Sequence, residues 1–283
     1  MLNEVFGQYL KQDLKPKPGK SYIRARSIAS HINEFCYRHP DKALKIGDYL
    51  NWRLQSGAAK STVYGVEFGY IKTAINSHGQ GKAFEIPVIN YEPIVRTTVL
   101  TQEQMRELCS GDDQDQCRMF CIIALNTGAR LDAILSLVRN QIDLVSSNPL
   151  IDFRLDHTPL DSERQKGRGT VAMNSYLLAE IRRYMDNQAG NRLFTAFRDN
   201  RDFAREFARY VKARGMDGIT PHILRHSYAS HLAMNGVSLF EISRNLGHKS
   251  IKTTERIYAK FLPSYQQASR TVMDGIMNGG SHD

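Results

Sequence analysis

Thr220-Pro221-His222-Ile223-Leu224-Arg225-His226-Ser227-Tyr228-Ala229-Ser230-His231-Leu232 is the stretch on which the reading of this chain turns. Pro221 suits the first turn of a helix, where its missing N–H leaves no bond unmade. His222, Arg225 and His226 then stand at i, i+3 and i+4, on one side of that helix. Two imidazoles and a guanidinium at a helix start point to an anion site, because the helix N-terminus adds partial positive charge. Downstream come Leu246-Gly247-His248, then Thr253-Thr254, then Tyr258. Metal binding is the competing reading, since His222 and His226 have a spacing that zinc uses. A zinc-protease helix would carry Glu where Ile223 stands. No Asp or Glu occurs between His222 and Ser238 to complete a metal shell. The metal reading therefore fails.

Working outward, the chain has 283 residues, which suggests about two domains at roughly 150 residues each. The longest apolar run is Met119 to Leu125, far short of the ~20 residues of a membrane-spanning helix. The first 20 residues hold Glu4 and several lysines but no apolar core, so a secretory leader is not expected. Cys36, Cys109, Cys117 and Cys121 form no C-x-x-C pair and read as reduced thiols of a cytoplasmic protein. The net charge of +9 favours a polyanionic partner. Residues 1–96 carry 14 Lys and Arg against 8 Asp and Glu, so most of the excess sits in the first third of the chain. A grip on phosphates there would release counterions.

The pattern predicts a mainly α protein of two domains. Residues 1–85 read as a small all-helical domain with helices over 21–37, 45–55 and 61–77, ended by His39-Pro40, Ser56-Gly57 and Gly79. Residues 86–98, with Pro87 and Pro93 and no helical period, read as a linker. Residues 99–283 open on Thr101 and Gln104, which have capping-box form. Helical patterns run on to about Leu137. Leu150–Arg154 and Gly169–Met173 read as two strands of a small antiparallel sheet, with a polar hairpin between them. Helices are expected at 174–187, 201–213, 221–235, 238–246, 250–259 and 264–277.

These boxes resemble the C-terminal signature of the tyrosine recombinases, the phage integrase family. That signature is H-x-x-R-H, an L-G-H about 20 residues on, and a tyrosine about ten residues further. A second family box, T-G-x-R before an apolar helix, is matched by Thr127-Gly128-Ala129-Arg130 and the helix to Leu137. The match covers roughly residues 98–262. The resemblance implies a two-domain fold that breaks and rejoins DNA, with residues 1–85 as a core DNA-binding domain and 99–283 as the catalytic domain.

The implied chemistry suits the residue types. Arg130 and Arg225 would clamp the non-bridging oxygens of a phosphodiester, since guanidinium forks bond bidentately and stay charged. Tyr258 would attack, giving a 3′-phosphotyrosine and a free 5′-hydroxyl, so that religation needs neither a cofactor nor a metal. A hairpin lysine supplies the leaving-group proton in the family. Lys166 is the only lysine between Lys82 and Lys212, but the hairpin register also allows Arg164. His222 would handle protons near the nucleophile, His248 would bond a phosphate oxygen, and His226 would be structural or orient its neighbours. The family's acidic residue three positions after the first arginine is replaced by Ala133, and Asp132 would face another side of the helix. That leaves the local buttress in question.

The implied partners are double-stranded DNA and three further copies of the chain in a synaptic tetramer. An added arm-binding domain is not expected, because the helical domain starts near residue 3. The DNA site, its spacer, the direction of the reaction and any accessory proteins stay open. So do two other functions: a type IB topoisomerase-like nicking-closing enzyme, and a catalytically silent DNA-binding regulator.

Overall fold

The computed structural model describes residues 1–14, 19–79, 81–91, 98–154, 169–188, 190–248, 250–262, 273–274 and 276–277. The chain divides into two compact units, Met1–Val95 and Arg96–Asp283.

The first unit is all helical. It comprises α1 (Leu2–Tyr9), α2 (Lys20–Arg38), α3 (Ile46–Gln55), α4 (Lys60–Thr62) and α5 (Phe68–Ser77). Its core gathers Phe6, Ile32, Phe35, Ile46, Tyr49, Leu50, Ile71 and Ile75. α2 stops at Arg38, where Pro40 disfavours further helix. The helix expected over 61–77 is interrupted by a wide π-helical turn, Val63–Glu67. Both end residues of that turn are buried. Glu67 accepts a hydrogen bond from Tyr49 Oη at 2.8 Å and bonds from Arg53 Nε and Nη2 at 3.0 and 2.8 Å. The period of 3.6 residues gave no sign of this turn. α1 was likewise not resolved from the sequence pattern as a separate helix.

The second unit begins with α6 (Gln102–Leu108), α7 (Gln116–Thr127) and α8 (Leu131–Leu135). A three-stranded antiparallel sheet follows, in the order β1 (Ile142–Asp143), β2 (Leu150–Asp152), β3 (Thr170–Ala172). Ile151 pairs with both Ile142 and Val171. The two expected strands are present, and β1 is an addition. Next come α9 (Ser175–Asp186), α10 (Asn200–Ala213), α11 (Pro221–Met234), α12 (Leu239–Asn245) and α13 (Ile251–Tyr258).

The helix starts follow from their caps. The Thr101 and Gln104 side chains bond each other's backbone N–H groups, as the capping-box pattern predicts. Side chains of Asp115, Asn174, Asp199, Ser238 and Ser250 accept N–H bonds at the starts of α7, α9, α10, α12 and α13. Each such cap stabilises its helix by ~1 kcal/mol. Met119 to Leu125 are buried throughout, so α7 runs through the core with apolar residues on all sides. Phe120 lies against Phe203 and Phe207 of α10, with ring centroids 4.5 and 5.8 Å apart.

α11 packs against α7 and is unusual in burying polar side chains. Arg225, His226, Ser227 and Ser230 are all buried. Ser227 Oγ accepts from the Leu100 N–H at 2.9 Å, and the Leu100 carbonyl lies 2.8 Å from His231 Nε2. Those two bonds fasten the segment before α6 to the helix that carries Arg225. A smaller apolar cluster of Tyr228, Ala229, Ala233, Ile242, Leu246 and Tyr258 joins α11, α12 and α13. No helix among the described residues is long and apolar enough to cross a membrane.

Candidate active site

Two turns and three helices bring Arg225, His248 and Tyr258 together. The first turn follows α7. Gly128 caps that helix with φ of +64°, a left-handed conformation open to glycine. Space imposes the same choice. A Cβ at Gly128 would lie 2.4 Å from Tyr228 Cδ1 and 2.8 Å from Leu246 Cδ2. Thr127 Oγ1 donates to the Ile123 carbonyl at 2.6 Å and accepts from the Ala129 N–H at 3.2 Å. The T-G-x-R box is therefore a rigid turn that delivers Arg130, an exposed residue, to the cap of α8.

The second turn follows α12, where Gly247 has φ of +62°. It brings the Leu246 carbonyl and His248 back toward α11. Arg225, only 5% exposed, sits between the two turns. Its Nη1 donates to the Gly128 carbonyl at 2.6 Å. Its Nη2 donates to the Leu246 carbonyl at 2.8 Å and lies 3.0 Å from His248 Nε2. His248 Nδ1 lies 2.8 Å from Thr254 Oγ1 on α13. Tyr258, at the end of α13, is buried with its ring 5.3 Å from that of His226. The Phe261 ring also lies 6.1 Å from that of His226.

Charge in this cluster is unbalanced. Among the described residues no carboxylate pairs with Arg130 or Arg225. Burial without a counter-ion, and the nearby Arg130, bring Arg225 down to about 9. Burial, Arg225 and Arg130 together bring His248 down to about 4, so its ring is neutral at pH 7. Partial burial and the same two arginines lower His222 at the rim of the cluster. Burial pushes the Tyr258 phenol up from its ordinary value, and Arg225 opposes that rise. Positive groups gathered without negative ones stabilise whatever anion arrives among them.

Of the six residues singled out in the sequence, Arg225, His248 and Tyr258 converge around one network. Arg130 acts on it electrostatically, and His222 feels both arginines. Lys166 lies outside the described residues, as do Arg164 and most of the helix expected at 264–277. The His226 ring lies against that of Tyr258. Asp132 does face away from the position of Ala133, which is buried, but it is not idle: it accepts a hydrogen bond from Asn200 Nδ2 at the start of α10. α8 is thus tied down by another route. Thr254 was overlooked as a site residue. Its spacing of four from Tyr258 on a helix was the available signal.

Residues 98–264 match the model of the phage integrase family. The chain belongs to that family. It is 29% identical over 241 residues to the integrase of Escherichia phage 186, a match covering 81% of this chain and 64% of the relative. It is 28% identical to tyrosine recombinase XerA of Thermococcus kodakarensis, over 57% of each chain. The chain thus spans less than two thirds of the length of these relatives. Among solved structures, the Tn1549 transposon integrase in complex with a circular intermediate DNA shares the fold. Its TM-score is 0.72 at 15% identity, covering 97% of this chain and 99% of that one.

Proposed function

We propose that this protein is a site-specific DNA recombinase that cuts and rejoins duplex DNA through a covalent 3′-phosphotyrosyl intermediate. The observation that carries the reading is the buried, unneutralised Arg225 held beside His248 and Tyr258. A scissile phosphate supplies the missing negative charge. Arg130 and Arg225 bond its non-bridging oxygens, and the charge that develops in the transition state strengthens those bonds. Tyr258 Oη attacks phosphorus and the 5′-oxygen leaves. His222 or a nearby water takes the phenolic proton, and Lys166, which lies between β2 and β3 in the sequence, protonates the leaving oxygen. The linkage conserves the phosphodiester energy, so the reverse attack by a 5′-hydroxyl reseals the strand.

Residues 1–85 would grip the DNA backbone with their excess of positive charge. Four protomers on two DNA sites would carry out strand exchange. The integrase names among the relatives and the DNA-bound state of a structural neighbour support the duplex DNA partner.

The test is a nicked-duplex trap, in which the cleaved end diffuses away and leaves the adduct. Its DNA site is first obtained by sequencing host DNA bound covalently to the protein. Wild-type protein should form a covalent protein–DNA band in excess EDTA. Tyr258→Phe should bind the same DNA and form none. An adduct that persists in Tyr258→Phe, or a strict need for a divalent metal, would overturn the reading.

A further inference from the structure

We propose that Thr254 is a positioning residue of this site. Its hydroxyl ties the helix that carries Tyr258 to the Arg225–His248 pair and sets which ring nitrogen of His248 faces the phosphate. For its role in cleavage the proposal rests on the recombinase reading above.

The direction of each bond follows from chemistry. A guanidinium can only donate, so His248 Nε2, 3.0 Å from Arg225 Nη2, must be the acceptor. A neutral imidazole with Nε2 accepting carries its proton on Nδ1. That proton points at Thr254 Oγ1, 2.8 Å away, which accepts it. Thr254 is fully buried, so no water competes for the bond. The ring is held at both ends, and its plane is fixed.

The position of Thr254 gives this bond its consequence. Thr254 and Tyr258 are the two buried residues of α13, at i and i+4. A displacement of α13 moves the nucleophile and the anchor of His248 together. When a phosphate oxygen replaces Arg225 as the partner of Nε2, the ring stays aimed at it. A proton taken from solvent onto Nε2 then makes His248 a donor to that oxygen, while Nδ1–H remains on Thr254. No rearrangement of the ring is needed. Without the hydroxyl, Nδ1–H would be buried and unpaired, and the ring would lose its fixed aim.

Two substitutions separate this role from packing. Thr254→Val keeps the shape and removes the hydroxyl. Thr254→Ser keeps the hydroxyl and removes a methyl group. We expect Val to slow single-turnover cleavage by about 10-fold or more, with DNA affinity within about 3-fold of wild type. Ser should retain most of the rate. A packing role gives the opposite ranking, and Ser slower than Val, or Val equal to wild type, would overturn the proposal. A second readout needs no DNA. Imidazole ¹⁵N shifts of the full chain should show His248 protonated on Nδ1 in wild type and Ser, and a mixed or altered tautomer in Val. Protonation on Nε2 in the wild-type protein would contradict the proposal whatever reaction the protein carries out. Absence of any covalent adduct from wild-type protein would instead count against the recombinase reading alone.

Discussion

Two arginines, one in each unit, are held in opposite ways. Arg53 meets the carboxylate of Glu67 through two nitrogens, and Tyr49 Oη donates to the same carboxylate. The group is electrically closed, and Glu67 holds Arg53 above the usual arginine value. Arg225 meets only neutral acceptors, the carbonyls of Gly128 and Leu246 and the ring of His248. Arg130 adds further positive charge, and Arg225 is pulled below its usual value. Burying a charge is costly unless it is paired. The first arginine has its partner within the fold. The second is held in place without one, which is what a site that receives an anion requires. The same contrast separates the tyrosines. Burial raises both phenols, but Tyr49 is pushed further by donating to a carboxylate, whereas Arg225 opposes the rise at Tyr258.

The comparison can be broken at either end. Glu67→Ala removes the counter-charge of Arg53 and leaves a largely enclosed guanidinium unpaired, which should cost about 3–5 kcal/mol. Urea unfolding followed by the Trp52 fluorescence of the first unit would measure this, and a change below about 1 kcal/mol would show that water replaces the carboxylate freely. Arg225→Ala should behave differently. Cleavage should fall by at least about 10²-fold, as for a lost oxyanion donor, while DNA binding weakens far less because many other contacts hold the backbone. Equal losses in binding and cleavage would make Arg225 a general DNA contact.

Gly128→Ala tests the turn that supports Arg225. The left-handed φ and the approach of Tyr228 and Leu246 leave no room for a methyl group. Overpacking of this kind should destabilise the second unit by about 2 kcal/mol, and cleavage should drop as the Gly128 carbonyl shifts. A calorimetric melt of that unit at the wild-type temperature would show that the turn accommodates the change.

The last expected effect concerns pH and is confined to acid solution. His248 titrates near 4 in the folded protein, held down by burial, Arg225 and Arg130, against ~6.5 when unfolded. As pH falls, the unfolded chain takes up this proton first. His248 thus contributes full stability above about 6.5, and that contribution is lost as pH falls toward about 4. His248→Gln should flatten this part of the stability–pH curve. An unchanged curve would place the titration elsewhere.

Local patterns carried much of this architecture. Pro221 marked the start of α11, and Thr101 with Gln104 marked the start of α6, because caps act within four residues. The resemblance carried by the H-x-x-R-H and L-G-H boxes, not periodicity alone, singled out His222, Arg225, His248 and Tyr258. What stayed hidden depends on separation. β1 is two residues long, too short for an alternating pattern to register. Nothing in the local pattern marks Glu67 for burial, and a partner 18 residues away makes that burial stable. Asp132 and Asn200 meet across 68 residues, beyond any helical period. Thr254 was visible in the sequence, but its bond to His248 depends on the turn at Gly247.

The most direct measurement is the chemical identity of the covalent bond. Wild-type protein trapped on its nicked site would be digested with nuclease and trypsin, and the nucleotide-bearing peptide sequenced by mass spectrometry. The expected result is a 3′-phosphate on Tyr258, in the peptide between Arg256 and Lys260. Attachment at another residue, with Tyr265 the nearest tyrosine in sequence, would contradict the assignment of the Arg225–His248–Tyr258 cluster as the active site.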